Sequence, residues 1–143
     1  MTELTQEQRL AAVRRLRAEQ CSCVIAKGDD MAGYRERGVK DLFRLLKERP
    51  EELAGAFVAD KVVGKGAAAL MILGGVRDVY AGIISRSALG LLEGAGVKVE
   101  MEHCVPHIIN RSGTGICPVE MLCRDCVTAE ECLLLIENFM KSL

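Results

Sequence analysis

The stretch Phe57–Gly75, FVADKVVGKGAAALMILGG, restricts the fold of this chain more than any other. Phe57 to about Asp60 reads as a buried strand, and Ala67–Leu73 as a small-residue helix. Between them lies a turn carrying Lys61, Gly64, Lys65 and Gly66. A strand that enters a helix through glycines leaves the first backbone N–H groups of that helix unpaired, aimed at whatever lies over the turn. Two lysines in the same turn make an anion the natural guest.

Similar units follow. Gly74 and Gly75 end the helix, and Val79–Ile84 (VYAGII) reads as a second buried strand. Ser85-Arg86-Ser87 opens the next helix, which Gly94 and Gly96 close. Val97–Cys104 alternates, with Val97, Val99, Met101 and His103 on one face and Lys98, Glu100, Glu102 and Cys104 on the other. One solvated face places this strand toward an edge of the sheet.

Upstream, Thr5 and Gln8 form a capping box for a helix over residues 5–19, striped by Leu10, Val13 and Leu16. Cys21–Lys27 reads as a strand, Gly28-Asp29-Asp30 as a turn, and Gly33–Arg37 as the return strand of a hairpin. Val39, Leu42, Phe43 and Leu46 lie at helical spacing before Pro50, and the charges of residues 35–52 read as a solvated helix face. Downstream, residues 105–118 are loop-like around Asn110–Gly115. Thr128 and Glu131 form a second capping box, for a helix striped by Cys132, Leu135, Ile136, Phe139 and Met140.

This order predicts a single α/β domain over residues 1–143, with an N-terminal helix within 1–20 and a C-terminal helix within 128–143. Right-handed crossovers imply a three-layer α/β/α arrangement with a mixed, mainly parallel central sheet and the hairpin antiparallel at one side. Ligands of such sheets bind beyond the carboxyl ends of the strands. Lys61–Gly66 and Ser85–Ser87 then lie side by side on one rim, with Asn110–Gly115 as a third wall.

Composition narrows the partners. Half the residues are apolar and tryptophan is absent, so the core is aliphatic. A net charge of −1 argues against bulk attraction to nucleic acid or an anionic membrane. Glycines and charges interrupt every apolar run before membrane-spanning length. The polar start MTELTQEQRL is no signal peptide, so a cytoplasmic protein is expected and the seven cysteines read as reduced thiols or ligands.

Residues GAFVADKVVGKGAAALM (55–71), VYAGIIS (79–85), AGVKVE (95–100) and VPHIINRSGTGICPVE (105–120) resemble the DUF1893 family of unknown function. With the hairpin they span most of residues 20–120, and the last stretch is the most specific. The resemblance implies a cytidine-deaminase-like fold, no established reaction, and association into a homo-oligomer through helix faces. Zinc deaminases of that fold need a His or Cys with a Glu two residues on, then Pro-Cys-x-x-Cys at the next helix. Here those helices open with Gly64-Lys65-Gly66 and Ser85-Arg86-Ser87, which offer no metal ligand. Zinc-dependent deamination is therefore rejected at these positions, and no cofactor is expected.

The residues themselves leave several chemistries. Lys61, Gly64, Lys65, Gly66, Ser85, Arg86, Ser87 and Asn110 would hold a small phosphorylated ligand, a nucleotide or an ADP-ribose-like compound, with Lys65 central and Arg86 as second clamp. A partly desolvated Lys65 could instead act as an amine nucleophile. Cys117 before Pro118, with Glu120 three residues on, would cap a short helix and feel its dipole as a second candidate nucleophile. The bland alternatives are a tight strand–helix junction with Lys65 in water, and Cys117 as a core residue. Asp60 would orient Lys65 or cap its own turn. His103 reads as a core histidine, and His107, near the rim, as the better base. Cys117, Cys123, Cys126 and Cys132 form a thinkable four-thiolate metal site, although one Cys-x-x-Cys lacks the second knuckle of a zinc ribbon. A non-catalytic oligomeric or regulatory module is the remaining reading.

Overall fold

A computed structural model describes residues 4–19, 21–36, 39–110 and 112–142. The elements in order are α1 (Gln6–Ala18), β1 (Cys23–Lys27), β2 (Asp30–Tyr34), α2 (Lys40–Glu48), a 3-10 turn (Pro50–Glu52), β3 (Phe57–Val63) and α3 (Lys65–Gly74). They continue with β4 (Asp78–Ser85), α4 (Arg86–Gly94), β5 (Lys98–Val105), α5 (Pro118–Cys123) and α6 (Ala129–Lys141). Both capping boxes form as the sequence indicates, Thr5 with Gln8 and Thr128 with Glu131.

The five strands make one mixed sheet in the order β2-β1-β3-β4-β5. β3, β4 and β5 run parallel, while β1 is antiparallel to both β2 and β3. Three boundaries differ from expectation. The hairpin turns at Gly28, whose φ of 60° suits glycine, and its return strand is β2, earlier than Gly33–Arg37; Arg37 itself lies outside the described residues. β3 continues past Asp60 because Val62 and Val63 still pair with Ile83 and Ile84, so Lys61 is a strand residue. α3 starts at Lys65, which puts Gly66 inside the helix.

Successive strand residues divide between two apolar clusters, as the two-residue period demands. Val24, Ala26, Phe57, Ala59 and Tyr80 join Ala12, Val13 and Leu16 of α1. Cys23, Ile25, Val58, Val79 and Ala81 join side chains of α2, α3, α4 and α6, among them Leu42, Leu70, Leu92 and Ile136. An Arg9–Asp78 ion pair ties α1 to the start of β4. β5 is an edge strand, as its alternation indicates: Val99 and Met101 pack on the core, while Glu100, Glu102 and Cys104 are exposed. Charges on a free edge discourage pairing with another chain.

α3 is the innermost helix. Every residue from Lys65 to Met71 is buried, and the helix packs against α2, α4, α5 and α6. Its small residues permit that crowding. A Cβ added at Gly66 would stand 2.4 Å from Val119 Cγ1, so α5 rests directly on this glycine. Among the described residues no helix is long and apolar enough to cross a membrane.

Candidate functional site

The carboxyl ends of β3, β4 and β5 meet at one side chain, Glu120. Cys117 is the N-cap of α5, Pro118 begins the helix, and the third position, Glu120, faces inward at 4% exposure. Its Oε1 accepts the backbone N–H of Lys65 at 2.8 Å and the Ser85 hydroxyl at 3.1 Å. Its Oε2 accepts the N–H of Ile108 at 2.7 Å. Gly64, the N-cap of α3, has no side chain to offer those orphan amides, and an anion at a helix amino terminus is favourable. The anion that the Gly-Lys-Gly turn calls for is thus supplied by the protein itself. Hydrogen bonds to a charged group contribute about 1.5–3 kcal/mol each, which offsets the cost of burying the carboxylate.

Lys65 is not at the rim. Its side chain runs to the far end of α5, where Nζ donates to the carbonyl oxygens of Cys126 at 2.5 Å and Arg124 at 3.1 Å. It is 7% exposed, and a cation at a helix carboxyl end satisfies carbonyls that the helix leaves open. That position corrects the expectation of Lys65 as central phosphate ligand, and its engaged, buried amine is poorly placed as a nucleophile. Gly66 packs directly against Val119 of α5.

Beside the Lys65 ammonium, Cys123, Cys126 and Cys132 converge with all three sulfurs within 4.8 Å of one another. Cys123 ends α5, Cys126 lies in the following turn with its N–H bonded to the Cys123 carbonyl, and Cys132 is on the inner face of α6. Cys123 and Cys132 are fully buried and Cys126 partly so; all seven cysteines are free. A hydrogen bond from Cys132, helped by the charge of Lys65, lowers the Cys123 thiol below its ordinary pKa. The same bond, with burial, raises Cys132. Burial pushes Cys126 up to about 11. Cys117 does not join this group.

The remaining rim residues divide by exposure. Ser85 is buried, accepting the N–H of Ala88 as the N-cap of α4 besides donating to Glu120. Lys61, Arg86 and Ser87 are exposed, and so is His107. The side chains of Lys61 and Arg86 have no ion-pair or hydrogen-bond partner among the described residues. Asn110 organises its own loop, its Oδ1 accepting the Thr114 N–H at 3.1 Å and the Ser112 hydroxyl at 3.2 Å. His103 is exposed on β5, which corrects its reading as a core histidine. Asp60 caps its turn through the N–H of Val62, at 3.2 Å, and burial raises its carboxyl to about 7. Sequence reasoning missed the role of Glu120, because a glutamate at the third position of a helix ordinarily serves that helix.

These features define an α/β protein with a five-stranded mixed sheet, an internal carboxylate at its helix openings and a thiol cluster behind them. The chain belongs to the DUF1893 family: the model described as "TM1506: Domain of unknown function (DUF1893)" matches residues 11–140. Among solved structures it is similar to the DUF1893 family protein TM1506 from Thermotoga maritima. That likeness has a TM-score of 0.86 at 24% identity and covers 95% of this chain and 92% of the other, which shows a shared fold. No curated protein matches.

Proposed function

We propose that this DUF1893 protein has a three-layer, cytidine-deaminase-like fold and binds a small phosphorylated ligand, a nucleotide or ADP-ribose-like compound, on the outer rim of its parallel strands. The reading rests on one observation: Glu120 joins the openings of α3 and α4 to the segment after β5, while the exposed side chains of Lys61 and Arg86 have no partner among the described residues.

The contacts differ from those a lysine-centred turn would make. The buried Glu120 charge repels a phosphate from the α3 terminus itself, so the ligand sits outside it. Arg86 would take phosphate oxygens in its planar fork, Lys61 would add a point charge, and Ser87 a hydroxyl. Gly64, Ser85 and Asn110 shape the wall. Lys65 contributes only its place in α3.

Calorimetric titration with nucleoside mono- and diphosphates and ADP-ribose tests this. Binding that weakens at least tenfold in Arg86→Ala, and falls with added salt, is the expected result. No heat with any of these compounds, or equal affinity in the variant, overturns it.

A further inference from the structure

The thiol cluster is built from the end of α5, the turn after it and the inner face of α6, and shares no side chain with the proposed ligand contacts. We propose that Cys123, Cys126 and Cys132 form a three-thiolate site for a single zinc ion, with Lys65 as the built-in counter-charge.

Geometry comes first. Zinc–thiolate bonds of about 2.3 Å in a tetrahedron put sulfurs about 3.8 Å apart. Three sulfurs already within 4.8 Å need only small rotations about their side-chain bonds to reach that spacing. They come from three pieces of backbone: the end of α5, the turn after it, and α6. The first two are coupled by the Cys126 N–H bond to the Cys123 carbonyl. The α6 capping box at Thr128 and Glu131 fixes the register that turns Cys132 inward.

Charge comes second. Three thiolates around a divalent ion carry a net charge of −1, and an uncompensated charge in a buried site is costly. The Lys65 ammonium, tied to the Cys126 and Arg124 carbonyls, supplies the opposite charge at the same place. A monovalent ion such as Cu(I) would leave one negative charge over. This accounts for an otherwise puzzling investment, a lysine buried beside three thiols. Glu131 also faces Cys126, but its carboxylate is occupied by the Thr128 cap.

Coordination comes third. Among the described residues no fourth His, Cys, Asp or Glu joins the group, and Cys126 is partly exposed. The fourth position is then left to water or an exogenous donor. Binding converts three thiols to thiolates and releases up to three protons to buffer.

The test uses the full chain, reduced and freed of metal, titrated with Co²⁺ and then with Zn²⁺ against a chromophoric chelator. One equivalent of Co²⁺ with an intense thiolate-to-cobalt charge-transfer band, displaced by Zn²⁺, is expected. Cys126→Ser and Cys132→Ser should each weaken zinc binding at least tenfold, with circular dichroism confirming that they fold, whereas Cys117→Ser should not. Lys65→Met should weaken it and Lys65→Arg preserve most of it. Absence of the charge-transfer band in the folded wild-type protein overturns the proposal. So does a loss in Cys117→Ser equal to that in Cys126→Ser.

Discussion

The side-chain carboxylate of Glu120 accepts the backbone N–H of Lys65 at 2.8 Å, although 55 residues separate the two in sequence. α3 is therefore capped by a distant residue on another helix. Glu120→Ala would leave three buried donors, Lys65 N–H, Ile108 N–H and the Ser85 hydroxyl, without their acceptor. Unsatisfied buried donors cost about 1–3 kcal/mol each. A loss of about 3 kcal/mol or more is expected in urea unfolding, with Glu120→Gln losing less. An unchanged midpoint for the alanine variant would show the carboxylate to be dispensable.

Lys61 and Lys65, four residues apart, should differ sharply in reactivity. Lys61 is exposed, whereas Lys65 is buried and bonded to two carbonyls. Brief acetylation of the native protein followed by peptide mass spectrometry should modify Lys61 and spare Lys65. Unfolding before labelling should equalise them. Equal labelling in the native state would contradict the placement of Lys65.

Asp60 makes stability depend on pH. Burial raises its carboxyl in the folded protein to about 7, against an ordinary value near 4 when unfolded. Between these two values the folded state holds more protons than the unfolded one. Stability contributed by this group is then present in full below about pH 4 and lost as pH rises through about 7. The slope is at most about 1.4 kcal/mol per pH unit. Asp60→Asn should flatten that part of the profile, measured by urea unfolding from pH 4.5 to 8. An identical slope in the variant would assign the dependence elsewhere.

Gly66 should tolerate no side chain while Val119 is present. A Cβ there stands 2.4 Å from Val119 Cγ1, so Gly66→Ala must push α5 away from α3. Overpacking of this kind costs about 1–3 kcal/mol. The double variant Gly66→Ala with Val119→Ala should recover part of that loss, and strictly additive losses would rule out the contact as the cause.

The architecture was legible wherever the information is local. Thr5 with Gln8 and Thr128 with Glu131 mark helix starts through neighbours three residues away, and both boxes form. The alternation of Val97–Cys104 announces a strand with one wet face, and β5 is an edge. The site was less legible because its bonds are long-range. Glu120 reaches partners 12, 35 and 55 residues away, and nothing beside it in sequence names them. Gly64-Lys65-Gly66 has the composition of an anion-binding turn, yet α5 and α6, arriving later in the chain, cover it and redirect the lysine. Cys123 and Cys126 advertise each other by spacing. Cys132 looked like one more apolar residue of its helix stripe, and the inward face of that stripe is what brings its sulfur to the other two.

The enclosure of α3 also bears on how the chain is made. On the ribosome, residues 65–74 emerge long before the Ile136 that covers them, so this apolar helix waits while the rest of its shelter is translated. A nascent chain stalled before α5 would carry bare alanines, an unanswered Lys65 and an open helix end. Such an intermediate exposes apolar surface of the kind that aggregates, and the core around α3 is complete only once α6 has closed over it.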